Sequence, residues 1–111
     1  MENCVFCKII AGEIPSPRYF EDEEMIVIKD LEPKAKLHYL CIPKVHFARF
    51  SEMNEEQANI VKRCFQKIPN LANKLGLAGG YRVIVNQGDD AGQTVQHLHI
   101  HLLGGEKLKD F

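Results

Sequence analysis

The chain has almost no net charge and no long apolar run, and each absence argues against one class of protein. Its 111 residues include 14 Lys and Arg against 15 Asp and Glu, which gives a formal net charge of −1. Without a basic surplus, the composition gives no argument for binding nucleic acid or an anionic membrane surface. No apolar stretch is long enough to span a bilayer, so we expect no membrane segment.

The N-terminal sequence MENCVFCKII also lacks the pattern of a secretory leader. Glu2 is acidic, and no cationic start precedes a long apolar run. We therefore expect a cytoplasmic protein, in which thiols are kept reduced. The four cysteines should then be free thiols or metal ligands rather than disulfides. They are Cys4, Cys7, Cys41 and Cys64.

Internal repeats, low-complexity tracts and linkers are missing as well. A chain of this length fits a single domain, residues 1–111. Apolar residues make up 45% and charged residues 26%, which is an ordinary globular mixture. Such a chain buries only a modest core, which dimerisation would enlarge.

The order of predicted elements favours an α+β fold. One long helix is predicted after a capping box formed by Asn54 and Gln57, because apolar residues then recur at helical spacing as far as Leu75. Pro69 lies inside this pattern and is expected to kink or divide the helix. Strands before and after one helix predict an antiparallel sheet with the helix on one face. The remaining predicted elements are a short helical turn at 4–11 and strands at 18–23, 25–30, 37–43, 81–87 and 95–103.

The segment QHLHIHLL, residues 96–103, alternates histidine with aliphatic residues. A period of two matches a β-strand, whose successive side chains point to opposite faces. His97, His99 and His101 should then share one face, roughly 6.5–7 Å apart. Leu98, Ile100 and Leu102 should pack into the core from the other face.

Three interpretations of the histidines remain open at this stage. They could be the polar face of a surface strand, they could chelate a metal such as Zn²⁺, or one imidazole could act as a nucleophile toward phosphorus. The preceding loop NQGDDAGQT favours the third, because Asn86, Gln93, Thr94 and flexible backbone N–H groups suit phosphate and sugar contacts. A strand rather than a helix follows this loop, so it is not a Walker-type phosphate loop.

HLHIHLL fits the His-φ-His-φ-His-φ-φ signature, with φ hydrophobic, of the histidine triad (HIT) family. FCKIIAGEIPS, KDLEPKAKLHYLCIPKVH and VNQGDDAGQTVQHLHIHLLGG also resemble the Hint branch of that family. The resemblance implies a five-stranded antiparallel sheet with one long helix and a short N-terminal helix. It also implies a homodimer in which the two sheets become continuous.

For activity, the resemblance implies binding of purine nucleotides and hydrolysis of nucleoside phosphoramidates, typically adenosine 5′-phosphoramidates, with no organic cofactor. His99 corresponds to the nucleophile that forms a nucleotidyl-histidine intermediate. His101 corresponds to a donor to the phosphate oxygens, and His38 to the residue that orients the nucleophile. Thr94 and the loop amides are further donors toward the phosphoryl group.

The resemblance also implies a nucleoside site. It assigns Asp30 to the ribose hydroxyls, and Asn86 and Gln93 to positions near sugar and phosphate. Plain core packing is an equally good explanation for the apolar residues that match the base pocket. These are Val5, Phe6, Ile9, Ile28 and Leu31.

The C-x-x-C pair of Cys4 and Cys7 has three interpretations: a redox pair, two buried structural thiols, or half of a structural zinc site. The pair resembles the zinc site of bacterial Hint-like sequences. In that resemblance His46 and His97 complete a closed Cys₂His₂ set.

Two departures limit what the resemblance carries over. Position 94 is Thr where many relatives have Ser, and the chain lacks the longer Trp-containing tail of the animal proteins. Leaving-group selectivity is therefore the least transferable property. Three other functions remain open: a dinucleoside polyphosphate hydrolase, a nucleotide-binding or partner-binding module with weak catalysis, and a zinc-dependent hydrolase that uses the triad as metal ligands.

Overall fold

A five-stranded antiparallel sheet lies at the centre of the protein, with one helix on each face. The computed structural model describes residues 3–111, so Glu2, used above against a leader, lies outside the described residues. Among residues 3–111, no helix combines the length and apolar character needed to cross a membrane. The elements in chain order are α1 (Val5–Ile10), β1 (Phe20–Glu21), β2 (Met25–Lys29), β3 (Leu37–Pro43), α2 (Glu55–Lys74), β4 (Tyr81–Ile84) and β5 (Ile100–Gly104).

The strands follow the order β1-β2-β3-β5-β4, and every neighbouring pair is antiparallel. β3 lies in the middle because LHYLCIP is apolar on both faces of the sheet. β5 pairs with β3 so that His38 lies opposite Leu103 and Leu40 lies opposite His101. The α+β architecture predicted from the sequence is confirmed.

The two faces of the sheet bury different residues. Val27, Cys41 and Ile100 pack against α2 in the larger core cluster. On the opposite face, Ile28 and Leu40 pack against α1 in a smaller cluster. Because side chains alternate along a strand, the face that carries α1 also receives the imidazoles of β3 and β5.

The long helix begins as predicted, with a complete capping box. The Asn54 side chain accepts from the Gln57 N–H at 2.8 Å, and the Gln57 side chain accepts from the Asn54 N–H at 3.0 Å. The prediction that Pro69 could divide the helix is wrong, because α2 runs through it to Lys74. Pro69 and Phe65 both lie on the exposed face, so water can satisfy the Phe65 carbonyl that Pro69 cannot.

Four of the five strands are shorter than the sequence predicted. β1 spans Phe20–Glu21 rather than 18–23, and β2 ends at Lys29 rather than residue 30. β4 ends at Ile84 rather than residue 87, where its pairing with β5 stops opposite His101. β5 begins at Ile100 rather than residue 95, because the Leu98 N–H donates to the Phe47 carbonyl at 2.7 Å and not to a neighbouring strand. Of the three triad histidines, only His101 therefore lies in the regular strand. Leu98, Ile100 and Leu102 are nevertheless fully buried, as predicted.

Candidate functional site

A cavity of about 790 Å³ opens on the α1 face of the sheet and contains most of the predicted site residues. Its walls come from α1, from the loop after it, from β2, β3 and β5, and from the loop that precedes the triad. We call it the main cavity. The predicted site residues that line it are Val5, Phe6, Ile9, Ile28, Asp30, Leu31, His38, Asn86, Thr94, His99 and His101.

The nucleophile predicted at His99 is held by a backbone carbonyl. His99 Nδ1 lies 2.7 Å from the carbonyl oxygen of His97. A carbonyl can only accept a hydrogen bond, so Nδ1 carries the proton of the neutral ring. The other nitrogen, Nε2, then keeps a lone pair for attack, and the residue as a whole is 8% exposed.

His38 and His101 form a directed chain of hydrogen bonds that starts at a backbone amide. The Lys34 N–H donates to His38 Nδ1 at 3.0 Å, so His38 Nε2 carries the proton. His38 Nε2 donates in turn to His101 Nδ1 at 2.8 Å. His101 Nε2 is therefore an N–H donor, and it is buried with no hydrogen-bond partner within residues 3–111. A buried donor of this kind in a cavity wall suits an anionic ligand oxygen.

Burial keeps these rings neutral. It is the main cause that lowers the pKa of His38, His99 and His101, the last to about 4. The Asp30 carboxylate opposes this effect for all three rings, because a nearby negative charge favours the imidazolium. The site thus holds neutral rings at neutral pH beside a carboxylate that can stabilise positive charge on an attacking imidazole.

Asp30 marks the end of the main cavity predicted to bind ribose. Its Oδ1 accepts from the Glu32 N–H at 2.9 Å, and its Oδ2 lies 3.5 Å from His38 Nε2. Lys34 lines the same end, whereas the Lys29 ammonium lies over the rings of Tyr19 and Tyr39 on the opposite face of the sheet. Leu31 also lines the cavity but is 96% exposed, so core packing does not explain it.

The loop before the triad presents Asn86 and Thr94 to the main cavity, whereas Gln93 stays behind it. Gln93 is buried, its Oε1 accepts from the Gly88 N–H at 2.8 Å, and its Nε2 donates to the Ala48 carbonyl at 2.8 Å. The predicted contact of Gln93 with sugar or phosphate therefore does not fit this placement. Its side chain is used to hold the loop, because a buried amide must satisfy its hydrogen bonds internally.

Cys4, Cys7, His46 and His97 converge next to the main cavity, with their ligand atoms within 4.8 Å of one another. His97 Nε2 donates to the Pro43 carbonyl at 2.7 Å, so Nδ1 is the nitrogen with the free lone pair. That Nδ1 faces the cluster, 3.4 Å from Cys4 Sγ and 3.1 Å from His46 Nδ1. A ligand imidazole fixed by a carbonyl on its other nitrogen is typical of metal sites.

The donor spacing fits a tetrahedral zinc ion. Zn–S and Zn–N bonds of about 2.3 and 2.0–2.1 Å place sulfur and nitrogen ligands about 3.5 Å apart. Three of the four sulfur–nitrogen distances are 3.4 Å (Cys4 to His97), 3.3 Å (Cys7 to His46) and 3.5 Å (Cys7 to His97). Burial, and after it the hydrogen bond and charge of Cys4, raise the pKa of Cys7 to about 11. A cation beside the two sulfurs would favour their thiolate forms, and the cluster can hold a metal ion.

Sequence reasoning missed the groups that fix the rings, namely the Lys34 N–H and the carbonyls of Pro43 and His97. No sequence signal could have found them, because every residue has these backbone groups. It also missed part of the apolar wall. Those residues are Ile14, Leu40, Ile84, Val95 and Leu103.

Comparisons with known proteins identify the family of this chain. The sequence profile of the family described as "Scavenger mRNA decapping enzyme C-term binding" matches residues 3–110. A solved HIT family hydrolase from Clostridium thermocellum is 51% identical with a TM-score of 0.93, over 100% of this chain and 97% of that one. Its name supports a hydrolase in general terms.

Two further solved structures bear on ligands. A histidine triad nucleotide-binding protein from Candida albicans is 34% identical with a TM-score of 0.81, over 90% of this chain and 73% of that one. A zinc-bound histidine triad family protein from Mycobacterium smegmatis is 35% identical with a TM-score of 0.78, over 92% of this chain and 74% of that one. The family profile covers residues 3–110, and the solved relatives match at least 90% of this chain at identities from 34% to 51%. The chain therefore belongs to the histidine triad family.

Proposed function

We propose that the protein hydrolyses the P–N bond of purine nucleoside 5′-phosphoramidates, with His99 as nucleophile. The observation that carries this proposal is the protonation pattern at the main cavity. The carbonyl of His97 leaves a lone pair on His99 Nε2, and the chain from the Lys34 amide leaves an N–H on His101 Nε2. A nucleophile beside a buried donor is what attack on a phosphoryl group requires.

In the first step, His99 Nε2 forms a bond to the α-phosphorus and the P–N bond to the amine breaks. The amine nitrogen keeps the bonding electron pair and takes up a proton from water. The attacking ring becomes a nucleotidyl-imidazolium, which the His97 carbonyl and the Asp30 carboxylate stabilise. In the second step, water forms the new P–O bond while the bond from phosphorus to His99 Nε2 breaks. The proton that this water loses goes to the hydroxide left by the first step, so the nucleoside monophosphate is released and the ring is neutral again.

The rest of the main cavity supports a nucleoside ligand. Asp30 lines the cavity and offers a carboxylate that can accept from both ribose hydroxyls. Phe6, Ile9 and Ile28 form an apolar wall on which a purine can stack. The nucleotide-binding name of the Candida albicans structure is in keeping with this ligand.

We further propose that the Cys4, Cys7, His46 and His97 cluster holds a structural zinc ion. All four ligands come from the protein, so the ion would be closed to substrate and would stabilise the fold rather than activate water. The zinc-bound Mycobacterium smegmatis relative supports the choice of metal. The ion would tie α1 to the segment that carries the triad.

We also propose that the chain is a homodimer whose sheets join along β4. β4 is the edge strand next to β5, and Val83 and Ile84 on it are 40% and 36% exposed. An exposed apolar edge strand is a template for pairing with a second copy.

The test of the phosphoramidase proposal is release of AMP from adenosine 5′-phosphoramidate by wild-type protein and by His99→Ala. The expected result is turnover by the wild type and a loss of at least about 10³-fold in the variant. His99→Ala must keep its metal content and its far-ultraviolet circular dichroism, which shows that the fold survives.

The same assay separates the rival functions. Nucleotide binding without turnover would indicate a binding module, and turnover of diadenosine polyphosphates alone would indicate a dinucleoside polyphosphate hydrolase. Turnover that stops on chelation while His99→Ala remains active would indicate a metal-dependent hydrolase. The protonation of His38 Nε2, which points toward His101, argues against metal ligation by that ring.

A further inference from the structure

The loop that joins α1 to β1 forms one wall of the main cavity. Its residues 14–17 line the cavity, beside residues of α1. Ile14 packs in the same apolar cluster as Phe6, Ile9 and Ile28, the residues proposed to stack against the purine. The loop and α1 are therefore adjoining walls of the proposed base site.

Backbone hydrogen bonds hold only the first half of this loop. The N–H groups of residues 12–14 all donate to carbonyls of α1. Residues 15–18, in contrast, make no hydrogen bond to another peptide group within residues 3–111. Two of them, Pro15 and Pro17, have no N–H to donate. The second half of the loop therefore needs a side chain to hold it against the helix.

Arg18, at the end of the loop, supplies that side chain. Its Nη2 donates to the Ile9 carbonyl at 2.5 Å and to the Ile10 carbonyl at 3.3 Å. Ile9 and Ile10 are the last two residues of α1, and carbonyls at this end of a helix lack partners within the helix and bind cations well. One guanidinium thus fastens the end of the loop to the end of the helix.

The guanidinium is itself held from the sheet. Arg18 Nη1 lies 2.7 Å from Glu21 Oε2 in β1, and Lys44 Nζ donates to the same oxygen at 2.8 Å. The Arg18 and Glu21 side chains are 24% and 41% exposed, and ion pairs of such exposure contribute at most about 1 kcal/mol to stability. The arrangement therefore fixes the direction of the guanidinium more than it stabilises the fold.

The catalytic rings are fixed by other groups. His99 is held by the carbonyl of His97. His101 is held by His38, which the Lys34 N–H orients in turn. None of these groups belongs to α1 or to the loop after it. Loss of the Arg18 contacts should therefore disturb the base site and leave the proposed chemical step intact.

We propose that Arg18 is a positioning residue for the nucleoside base, because its guanidinium joins the two walls of the base site. This inference rests on the nucleoside site proposed above and adds the residue on which the affinity for the base depends. Contacts with a group remote from phosphorus are equally strong in the ground state and the transition state, so their loss raises KM and spares kcat.

The test compares adenosine 5′-phosphoramidate with methyl β-D-ribofuranoside 5-phosphoramidate, which has a methoxy group in place of the base. Arg18→Gln should raise KM for the adenosine substrate by about tenfold and change kcat by less than about twofold. For the methyl riboside, both constants should stay within about twofold of wild type. Arg18→Lys keeps the charge but not the two-pronged donor, so its KM should lie between those of Arg18→Gln and wild type.

Arg63→Gln is the matched control. It also removes a guanidinium bound to a carboxylate, that of Glu24, but on α2 and outside the main cavity. It should leave KM unchanged for both substrates. Equal losses with the two substrates in Arg18→Gln would overturn the inference, because they would show a general structural role. An unchanged KM for the adenosine substrate, or a rise of the same size in Arg63→Gln, would overturn it as well.

Calorimetric binding of AMP and of ribose 5-phosphate separates this inference from the proposed activity, because it needs no turnover. Arg18→Gln should weaken AMP binding by about tenfold and leave ribose 5-phosphate binding unchanged. If that pattern is found while no phosphoramidate is hydrolysed, only the proposed activity is wrong. If phosphoramidates are hydrolysed while AMP binding is unchanged in the variant, only the role of Arg18 is wrong. Should Arg18→Gln fail to fold, Arg18→Lys takes the same test with the same signs.

Discussion

At the scale of single residues, backbone hydrogen bonds determine which ring nitrogen of each histidine is protonated. The Pro43 carbonyl accepts from His97 Nε2, so the lone pair of His97 lies on Nδ1, which faces two thiols. The His97 carbonyl accepts from His99 Nδ1, so the lone pair of His99 lies on Nε2, which is left for the main cavity. The Lys34 N–H has the opposite effect. It donates to His38 Nδ1, and His38 Nε2 donates to His101 Nδ1, so that His101 Nε2 is left as a donor. The proposed nucleophile, metal ligand and phosphate donor thus have the same side chain and differ in which ring nitrogen is protonated.

The low pKa of His101 makes stability depend on pH in a defined direction. Burial is the main cause that lowers this pKa to about 4, whereas the unfolded residue titrates at its ordinary 6.5. Between these values the unfolded chain binds a proton that the folded chain does not, so the free energy of unfolding falls as pH falls from 6.5 toward 4. His101→Asn should therefore show a smaller fall, by up to about 1.4 kcal/mol per pH unit.

Urea denaturation of wild type and His101→Asn at several pH values between 4.5 and 8 checks this prediction. Above pH 7 the two stabilities should run parallel, since both folded and unfolded rings are then neutral. Parallel curves across the whole range would show that the folded ring titrates normally.

The histidine roles could be predicted from the sequence only through resemblance to a family. Alternation indicated that His97, His99 and His101 share surroundings, but the structure separates His97 from the other two. Its ring lies in the cysteine cluster, with Nδ1 3.4 Å from Cys4 Sγ. Alternation describes side-chain direction along a regular strand, and His97 and His99 precede that strand.

At the scale of elements, the short helix α1 links two sites. Cys4, which caps it, and Cys7 within it belong to the metal cluster, while Val5 and Phe6 between them line the main cavity. The ring of Phe6 meets that of His99 edge-on at a centroid distance of 5.0 Å. Loss of the metal should therefore alter the nucleoside wall as well as the cluster.

Replacing both cysteines, Cys4→Ser and Cys7→Ser, should abolish the bound zinc and weaken AMP binding. Two of four ligands are lost, and α1 has only six residues, which is too short to be stable alone. Elemental analysis should give one zinc per chain in the wild type and none in the variant. Amide hydrogen exchange should be faster at residues 5–10 of the variant.

The matched control is Cys41→Ala and Cys64→Ala, which removes two buried thiols outside the cluster. This control is expected to keep its zinc even though its core is less well packed. Unchanged zinc in the Cys4 and Cys7 variant would contradict the assignment of these ligands.

Element types were more predictable than element ends. The capping box at Asn54 is a local signal and placed the start of α2 correctly. The start of β5 depends on the Phe47 carbonyl, 51 positions away from Leu98, and such a partner is set by tertiary structure. Local patterns could not predict it, and the strand came out five residues shorter at its N-terminal end.

At the scale of the whole molecule, the strand order leaves β4 as an edge with exposed apolar side chains. A chain of 12.7 kDa should therefore behave as a dimer of twice that mass. Val83→Lys should shift it toward the monomer, because two-fold symmetry brings each introduced charge close to its copy. Tyr19→Lys, beside the opposite edge strand, is the control that should stay dimeric.

Light scattering coupled to size-exclusion chromatography measures both masses at several concentrations. A monomeric wild type at all of them would be incompatible with the continuous sheet. The α+β class could be predicted from the sequence alone, because the period of the apolar residues distinguishes helices from strands. The sequence could not predict that β4 is an edge strand, because strand order depends on which hydrophobic faces pack together.

The central claim is that His99 attacks phosphorus, and a covalent adduct tests it most directly. Wild-type protein mixed with adenosine 5′-phosphoramidate and quenched within milliseconds in alkaline denaturant should gain the mass of AMP less one water. Peptide mapping should place that mass on His99, and His99→Ala should gain none. The account would be contradicted by an adduct on another residue, or by AMP release at full rate from His99→Ala.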